Sequence, residues 1–122
     1  MSTLADGAAG GGFVFDSYGG AINQVAADAT AFVHRGELAG VQYSVTWTAT
    51  ASPSVVTAAS SWLRLATRAV APYTHGAYQN YLDPTLADWQ QAYYGANLTR
   101  LVEVKRSVDP DDVFHFAQSI PV

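Results

Sequence analysis

The sequence contains no cysteine among its 122 residues, few charged side chains and no long hydrophobic run. The absence of cysteine excludes disulfides, thiolate metal ligands and a thiol nucleophile, and it leaves the redox compartment open. The six basic residues are spread along the chain, so the sequence lacks the basic patch that a nucleic-acid-binding surface needs. No apolar segment is long enough to span a bilayer, and no membrane partner is expected.

Two further features are missing. The first residues carry neither the basic stretch nor the apolar stretch of a secretory signal, so we expect a cytoplasmic protein. The histidines have no second histidine at helical spacing and no carboxylate at a metal-binding spacing, and the sequence therefore predicts no metal site.

The residues that are present favour one folded domain. Hydrophobic residues make up 49% of the chain and charged residues 13%, which is enough apolar material for a core. Residues 1–12 are rich in glycine and alanine and predict a flexible N-terminus. Residues 13–122 are predicted to form the domain.

The secondary-structure signals alternate between strand and helix patterns. Strict alternation of apolar and polar side chains predicts a strand over residues 41–48, and a β-rich run predicts another over residues 13–18. Three helices are predicted to begin near Pro53, Pro84 and Leu98, because each follows a residue type that is favoured at helix N-caps.

These elements predict an α+β fold, with a small antiparallel sheet covered on one side by about three helices. A freestanding sheet normally needs roughly three strands or more. Either weaker strands therefore lie near residues 28–34 and 75–80, or the sheet is completed by something outside this chain. We expect Trp47 and Trp62 to be largely buried.

A series of short motifs in the second half comes in one fixed order. They are the segment 78–83, the segment 93–97 with Arg100-Leu101, Lys105 with Asp109-Pro110 and Phe114, and the segment 118–121. This order resembles the C-terminal signature of the berberine-bridge-enzyme-like, FAD-linked oxidases. Upstream, Tyr18-Gly19-Gly20, residues 30–35 and the predicted strand 41–48 resemble the family's substrate-domain segment, with Val33 in place of the usual proline.

The resemblance implies that the chain is the substrate-facing and C-terminal part of an FAD-linked oxidoreductase acting on a small natural-product or sugar-like substrate. In that family, the pyrophosphate loop and the flavin-tethering histidine and cysteine lie in an N-terminal domain that this chain does not contain. FAD binding by the chain alone is therefore expected to be weak or absent. We expect a homodimer, or a partner that supplies the FAD-binding domain.

The resemblance also selects the site residues. Tyr81 is the first catalytic candidate, with its phenol facing substrate and flavin, although a phenol acts as a base only where its pKa falls below the usual value of about 10. Gln42 is the second, and its amide orients substrate without accepting a proton. Asn80, Tyr78 and Asn97 are the candidates for cofactor contact. Structural roles as core, turn, cap or surface residues stay open for all five.

Three functions remain open from the sequence. The chain is part of an FAD-linked oxidoreductase, or a standalone cofactor-free cyclase or isomerase derived from that domain, or a non-catalytic binding subunit. The motifs favour the first. The visible spectrum of the purified chain separates flavin-bearing from flavin-free alternatives.

Overall fold

The computed structural model describes residues 7–122, which divide into two compact units. Unit 1 contains residues 7–16 and 39–74, and unit 2 contains residues 17–38 and 75–122. The elements in chain order are β1 (Ala9–Ser17), α1 (Ala21–Gln24), β2 (Ala39–Trp47), α2 (Pro53–Val70), α3 (Trp89–Tyr94) and α4 (Leu98–Val108). The predicted α+β class, with a small sheet and about three helices besides the short α1, is confirmed.

The sheet consists of β1 and β2 in antiparallel pairing. The amide of Tyr18 donates to the carbonyl of Leu38 at 2.8 Å at one end, and the amide of Thr48 donates to the carbonyl of Ala8 at 3.2 Å at the other. The strand predicted over residues 41–48 is confirmed as β2, which begins two residues earlier and ends one residue earlier.

β1 is longer than the sequence predicts. It begins at Ala9, so residues 9–12 of the predicted flexible N-terminus are part of a strand, and residues 1–6 lie outside the described part of the chain. The reason is pairing with β2, which extends to the hydrogen bond between Thr48 and Ala8. Within this segment Gly11 packs closely, and an added Cβ there would stand 2.8 Å from the ring of Trp62. Glycine lets the strand backbone approach this ring.

The longest helix, α2, packs against β2. It begins at Pro53, and the hydroxyl of Ser52 accepts a hydrogen bond from the amide of Val55 at 3.4 Å. Its less exposed face recurs at helical spacing through Val55, Ala59 and Leu63. The predicted start and cap of this helix are confirmed.

The prediction that both tryptophans are largely buried is wrong. Trp47 is 45% exposed and Trp62 is 38% exposed. Trp62 packs on Phe13 with ring centres 5.8 Å apart, and Phe13 contacts Tyr43 edge-on at 5.5 Å. A two-stranded sheet with one helix has too little surface to enclose an indole ring on all sides.

The weaker strands expected near residues 28–34 and 75–80 are also absent from the described chain, where these segments form turns and irregular backbone. Backbone groups of these segments form hydrogen bonds to other parts of unit 2 instead of pairing with a neighbouring strand. The carbonyl of Thr30 accepts from the side chain of Asn97, and the amide of Ala77 donates to the carbonyl of Ala92 at 2.9 Å.

The helix predicted to begin near Pro84 begins later, at Trp89. The carboxylate of Asp83 accepts hydrogen bonds from the amide of Thr85 at 2.8 Å and from its hydroxyl at 2.6 Å. An aspartate that bonds the backbone two residues on forms a tight turn in place of a helix cap. The helix therefore starts only after this turn.

Unit 2 has a polar centre around Tyr93, which is fully buried. The Tyr93 hydroxyl accepts from the amide of Asp83 at 3.0 Å and donates to Oε1 of Gln118 at 3.1 Å. The Gln118 amide donates in turn to the carbonyl of Asp83 at 2.8 Å. These bonds join α3 to the segment before it and to the C-terminal segment.

Candidate functional site

Three of the predicted site residues meet in one tight turn, residues 78–81, which we call the tyrosine turn. The amide of Tyr81 donates to the carbonyl of Tyr78 at 2.9 Å and closes the turn. The two rings pack edge to face at 90°, with centres 5.3 Å apart. Nδ2 of Asn80 donates to the Tyr78 hydroxyl at 2.8 Å. The turn thus places two phenols and an amide side by side.

Aromatic packing supports the tyrosine turn from one side. The Tyr78 ring meets Phe32 edge-on, with centres 5.6 Å apart. Phe32 in turn packs on Tyr18 at 5.6 Å, and the guanidinium carbon of Arg35 lies 4.8 Å from the Phe32 ring centre. Each edge-to-face pair of this kind stabilises a fold by about 0.5–1.5 kcal/mol beyond the contribution of the apolar area that it buries. These aromatic contacts therefore restrain the Tyr78 ring.

The backbone before and after the turn is also held. Nε2 of His34 lies 2.7 Å from the carbonyl of Ala77, and the ring of His34 fills the place where a Cβ on Gly76 would stand. Gly76 has φ +66, a conformation that favours glycine. On the other side, the turn at Asp83 is bonded to the buried Tyr93. Both flanks of the tyrosine turn are therefore anchored in unit 2.

The Tyr81 hydroxyl makes no hydrogen bond to any of residues 7–122, and the side chain is 49% exposed. The Tyr78 hydroxyl accepts one bond from Asn80 and keeps its own proton unpaired within the same described residues. A phenol carries one donor and acceptor lone pairs, so both tyrosines retain hydrogen-bonding capacity for a ligand.

Tyr94, one of the two buried tyrosines of α3, has a different environment. Burial raises the pKa of Tyr94, and the neighbouring Tyr93 adds to the rise. A phenol whose pKa is raised holds its proton more firmly and is a poor base. Tyr94 is therefore poorly suited to accept a proton from a substrate.

Gln42 belongs to unit 1, whereas the tyrosine turn belongs to unit 2. Gln42 lies half-buried in β2, and its side chain makes no hydrogen bond within the described residues. Its amide is therefore available to orient a ligand at the sheet, and its role towards substrate stays a prediction.

Asn97 precedes α4 at the predicted N-cap position, but its side chain makes no capping bond. Both amide hydrogens are engaged in the fold, because Nδ2 donates to the carbonyls of Ala27 at 2.6 Å and Thr30 at 3.0 Å. Asn97 is buried. The structure therefore gives this residue a role in tying the segment before β2 to α4, and cofactor contact remains a prediction.

A polar cluster at the end of α4 was not predicted from the sequence, although the spacing of Lys105 and Asp109 by four residues was visible. The Lys105 ammonium pairs with the carboxylates of Asp109 and Asp112 and donates to the carbonyl of Phe114 at 2.6 Å. Asp109 also accepts from the amides of Val113 at 2.8 Å and Phe114 at 3.1 Å. The hydrogen bond from Lys105 lowers the pKa of Asp109, and the bonds to both aspartates raise the pKa of Lys105.

Neither a metal site nor a membrane span is found in the described part of the chain. Residues 7–122 contain no group of three or more histidine, aspartate or glutamate side chains arranged to hold a metal ion. None of the helices in this range combines the length and apolar character required to cross a membrane.

Comparison with known proteins assigns the motifs. Residues 77–121 match the family described as Berberine and berberine like. The chain is 38% identical over 103 residues to Uncharacterized FAD-linked oxidoreductase YgaK of Bacillus subtilis, which covers 84% of this chain and 22% of that protein. It is 37% identical to Berberine bridge enzyme-like 12 of Arabidopsis thaliana, over 90% of this chain and 24% of that protein. The chain matches a segment of berberine bridge enzyme-like proteins.

The fold of the chain agrees with that match. The crystal structure of a glycopeptide hexose oxidase complexed with teicoplanin superposes with a TM-score of 0.78 at 33% identity, over 92% of this chain and 26% of that one. The chain spans about a quarter of the length of the relatives it matches.

The described residues of the chain do not fit a whole FAD molecule. A pyrophosphate is commonly held by backbone amides of a glycine-rich loop at a helix N-terminus. Here the glycine-rich residues continue into β1, and Gly11 packs against Trp62. The amide hydrogens of Asn97 are already bonded to backbone carbonyls. The tyrosine turn offers exposed polar groups suited to a small part of a cofactor or to a substrate.

Proposed function

We propose that this chain forms the substrate-side part of an FAD-linked oxidoreductase that acts on a small organic substrate of the natural-product or sugar-like class. The flavin and most of its binding site belong to polypeptide outside this chain. The redox chemistry comes from that part, and this chain contributes groups that bind and orient the substrate and move its proton.

The observation that carries the proposal is the state of Tyr81. Its ring is restrained against Tyr78, its side chain is 49% exposed, and its hydroxyl has no hydrogen-bond partner within residues 7–122. A restrained phenol with an unpaired oxygen is suited to receive a hydrogen bond from a substrate hydroxyl. Deprotonated, the same oxygen is the group proposed to take the hydroxyl proton.

Relatives support this assignment of class. Proteins matching the chain over most of its length are named FAD-linked oxidoreductases, and one solved relative is named a hexose oxidase. A sugar hydroxyl is the kind of group from which a proton must be removed during oxidation. The hexose is a property of that relative, and for this chain it sets the first substrate class to test.

The test is a chimera in which this chain replaces the matching quarter of the Bacillus subtilis relative. Flavin absorbance first establishes that the chimera is loaded, and peroxide release is then measured with a panel of sugars and sugar-bearing natural products. We expect activity on at least one of them and a fall in kcat of about 100-fold or more in Tyr81→Phe.

The matched control is Tyr73→Phe, which makes the same change at a tyrosine that is 86% exposed in unit 1. Its kcat should match that of the parent chimera. A loaded chimera in which Tyr81→Phe retains full activity on every substrate contradicts the role given to Tyr81.

A further inference from the structure

We propose that Tyr78 and Asn80 are positioning residues for the Tyr81 phenol, and that they act through the single hydrogen bond between the Asn80 amide and the Tyr78 hydroxyl. The inference rests on the proposed function, because it concerns the same site. It assigns to Asn80 a task inside the turn in place of contact with a cofactor.

The first step concerns the geometry of the turn. Asn80 lies between the two tyrosines, and the backbone bond from Tyr81 to Tyr78 closes the turn around it. This closure brings Nδ2 of Asn80 to 2.8 Å from the Tyr78 hydroxyl, although Asn80 itself is exposed. An exposed amide that bonds a neighbouring phenol fixes the outer end of that ring.

The second step concerns Tyr78, which is held at two points. Asn80 bonds its hydroxyl, and Phe32 packs against its ring at an interplanar angle of 89°. Phe32 is itself fixed between Tyr18 and Arg35. A half-buried ring fixed at its hydroxyl and at its flank has little freedom to rotate, so it presents a constant surface to its next neighbour.

The third step concerns Tyr81, whose ring depends on that surface. Its one ring contact among the described residues is the perpendicular contact with Tyr78 at 5.3 Å, and its hydroxyl is unbonded there. When the Tyr78 ring is released, the Tyr81 ring loses its restraint as well. A reacting group that loses its orientation loses rate even when its chemistry is unchanged.

The competing interpretation is that Asn80 only favours the turn. The two are separable, because Asn80 does not have a positive φ and alanine is tolerated there without strain. Asn80→Ala removes the amide donor, and Tyr78→Phe removes the acceptor while keeping the ring. Both changes break the same hydrogen bond and leave the backbone turn available.

The experiment uses NMR of the full chain with ring-labelled tyrosine and phenylalanine. In the parent we expect a cross-relaxation signal between the rings at positions 78 and 81, together with a ring-current shift on Tyr81. Each single variant should lose at least half of that signal and of that shift. The control is Gln91→Ala, which deletes an exposed amide in α3 of the same unit and should leave both unchanged.

The double variant Asn80→Ala/Tyr78→Phe decides whether one bond carries the effect. Residues that act through one interaction are not additive, so the double variant should lose no more signal than either single variant. Losses that add, or single variants with an unchanged signal, overturn the proposal. Circular dichroism melting curves that coincide for all variants separate ring positioning from general unfolding.

The same variants, made in the flavin-loaded chimera, test whether the orientation of the Tyr81 ring affects kcat. We expect kcat to fall about tenfold in Asn80→Ala and in Tyr78→Phe, with KM within about twofold of the parent, because orientation of the proton acceptor changes while substrate binding does not. The NMR measurement does not require an active enzyme. The proposed function and the positioning role of Tyr78 and Asn80 can therefore be contradicted independently of each other. A coupled NMR response with an inactive parent chimera contradicts the proposed function alone, and an unchanged NMR response overturns the positioning role alone.

Discussion

The hydroxyl of Tyr93 donates a hydrogen bond to the side chain of Gln118, 25 residues further along the chain, at 3.1 Å. The same hydroxyl accepts from the amide of Asp83, and the carbonyl of Asp83 accepts from the Gln118 side chain. One buried phenol thus ties the C-terminal segment to the turn that follows Tyr81. The motifs around these residues, which first indicated the family, stabilise the frame of the candidate site.

Tyr93→Phe should destabilise the chain by about 1–3 kcal/mol, because it leaves the amide of Asp83 and the buried Oε1 of Gln118 without a partner. Urea denaturation followed by circular dichroism measures the change. The control is Tyr94→Phe, which removes a neighbouring buried hydroxyl that makes no hydrogen bond within the described residues. Equal losses for the two variants would contradict the role of the Tyr93 network.

The cluster at the end of α4 predicts the pH dependence of stability. The pKa of Asp109 is lowered by its bond from Lys105, so its contribution is present above the ordinary aspartate pKa and is lost as pH falls through the lowered value. The pKa of Lys105 is raised, so its contribution is present below the ordinary lysine pKa and is lost as pH rises through the raised value.

We expect denaturation midpoints to fall on the acid side below about pH 4 and again on the strongly alkaline side. Asp109→Asn should flatten the acid-side dependence, as measured by urea midpoints at a series of pH values. The control is Asp111→Asn, at an exposed aspartate that makes no ion pair in the described chain. If the urea midpoint of Asp109→Asn still falls as strongly on the acid side, groups other than Asp109 are responsible for the loss of stability there.

Two adjacent glycines of β1 provide a matched pair for packing. An added Cβ at Gly11 would stand 2.8 Å from the Trp62 ring, whereas one at Gly12 would meet nothing within 4 Å. Gly11→Ala should therefore cost about 1–3 kcal/mol through overpacking, and Gly12→Ala should be close to neutral. Denaturation followed by tryptophan fluorescence measures both. Equal effects would mean that contact with Trp62 is not the reason for glycine at position 11.

The sequence predicted the elements whose signals are local. Alternation located β2, and the Ser52-Pro53 pair located the start of α2. It failed where a long-range contact decided the outcome. Residues 9–12 are in a strand because β1 pairs with the distant β2, and the side chain of Asn97 bonds carbonyls about seventy residues earlier instead of capping α4.

In the candidate site, too, the sequence predicted some features, whereas others depend on contacts that only the structure shows. Motif order selected Tyr81, Asn80 and Tyr78, and the structure brings these three together in one turn. Spacing alone could not predict that the Asn80 amide bonds Tyr78, since an asparagine in a turn has several possible partners. Gln42 belongs to the other unit, and its role towards substrate stays a prediction.

The exposed apolar surface predicts association. Phe15 in β1 is 68% exposed and Phe114 is 79% exposed, and the sheet has only two strands, so each strand leaves one edge unpaired. We expect the chain to form a homodimer, or to bind the polypeptide that carries the flavin. Light scattering of the isolated chain should give about twice its mass of 13.0 kDa.

Phe15→Lys should shift that equilibrium towards the monomer, because it places a charge on the exposed face of β1. Arg64→Lys, at an exposed position of α2, is the control and should leave the mass unchanged. A monomer throughout a dilution series that also fails to bind the remainder of the Bacillus subtilis relative contradicts both forms of association.

The isolated chain is expected to bind FAD weakly or not at all. Immobilising a large, flexible cofactor costs several kcal/mol, and flavoproteins offset much of this through pyrophosphate contacts. The glycine-rich segment that would be the natural candidate is in β1, and Gly11 is packed against Trp62. The exposed phenol of Tyr81 offers a cofactor one hydroxyl and one ring edge.

Equilibrium dialysis of the purified chain with FAD and, separately, with riboflavin tests this. If only ring contacts are available, riboflavin should bind as well as FAD, because the pyrophosphate adds nothing, and neither should saturate in the micromolar range. The purified chain should also show no flavin absorbance. Tight binding of FAD with much weaker binding of riboflavin would mean that this chain holds the pyrophosphate, and the assignment of the flavin site to the remaining polypeptide would then be wrong.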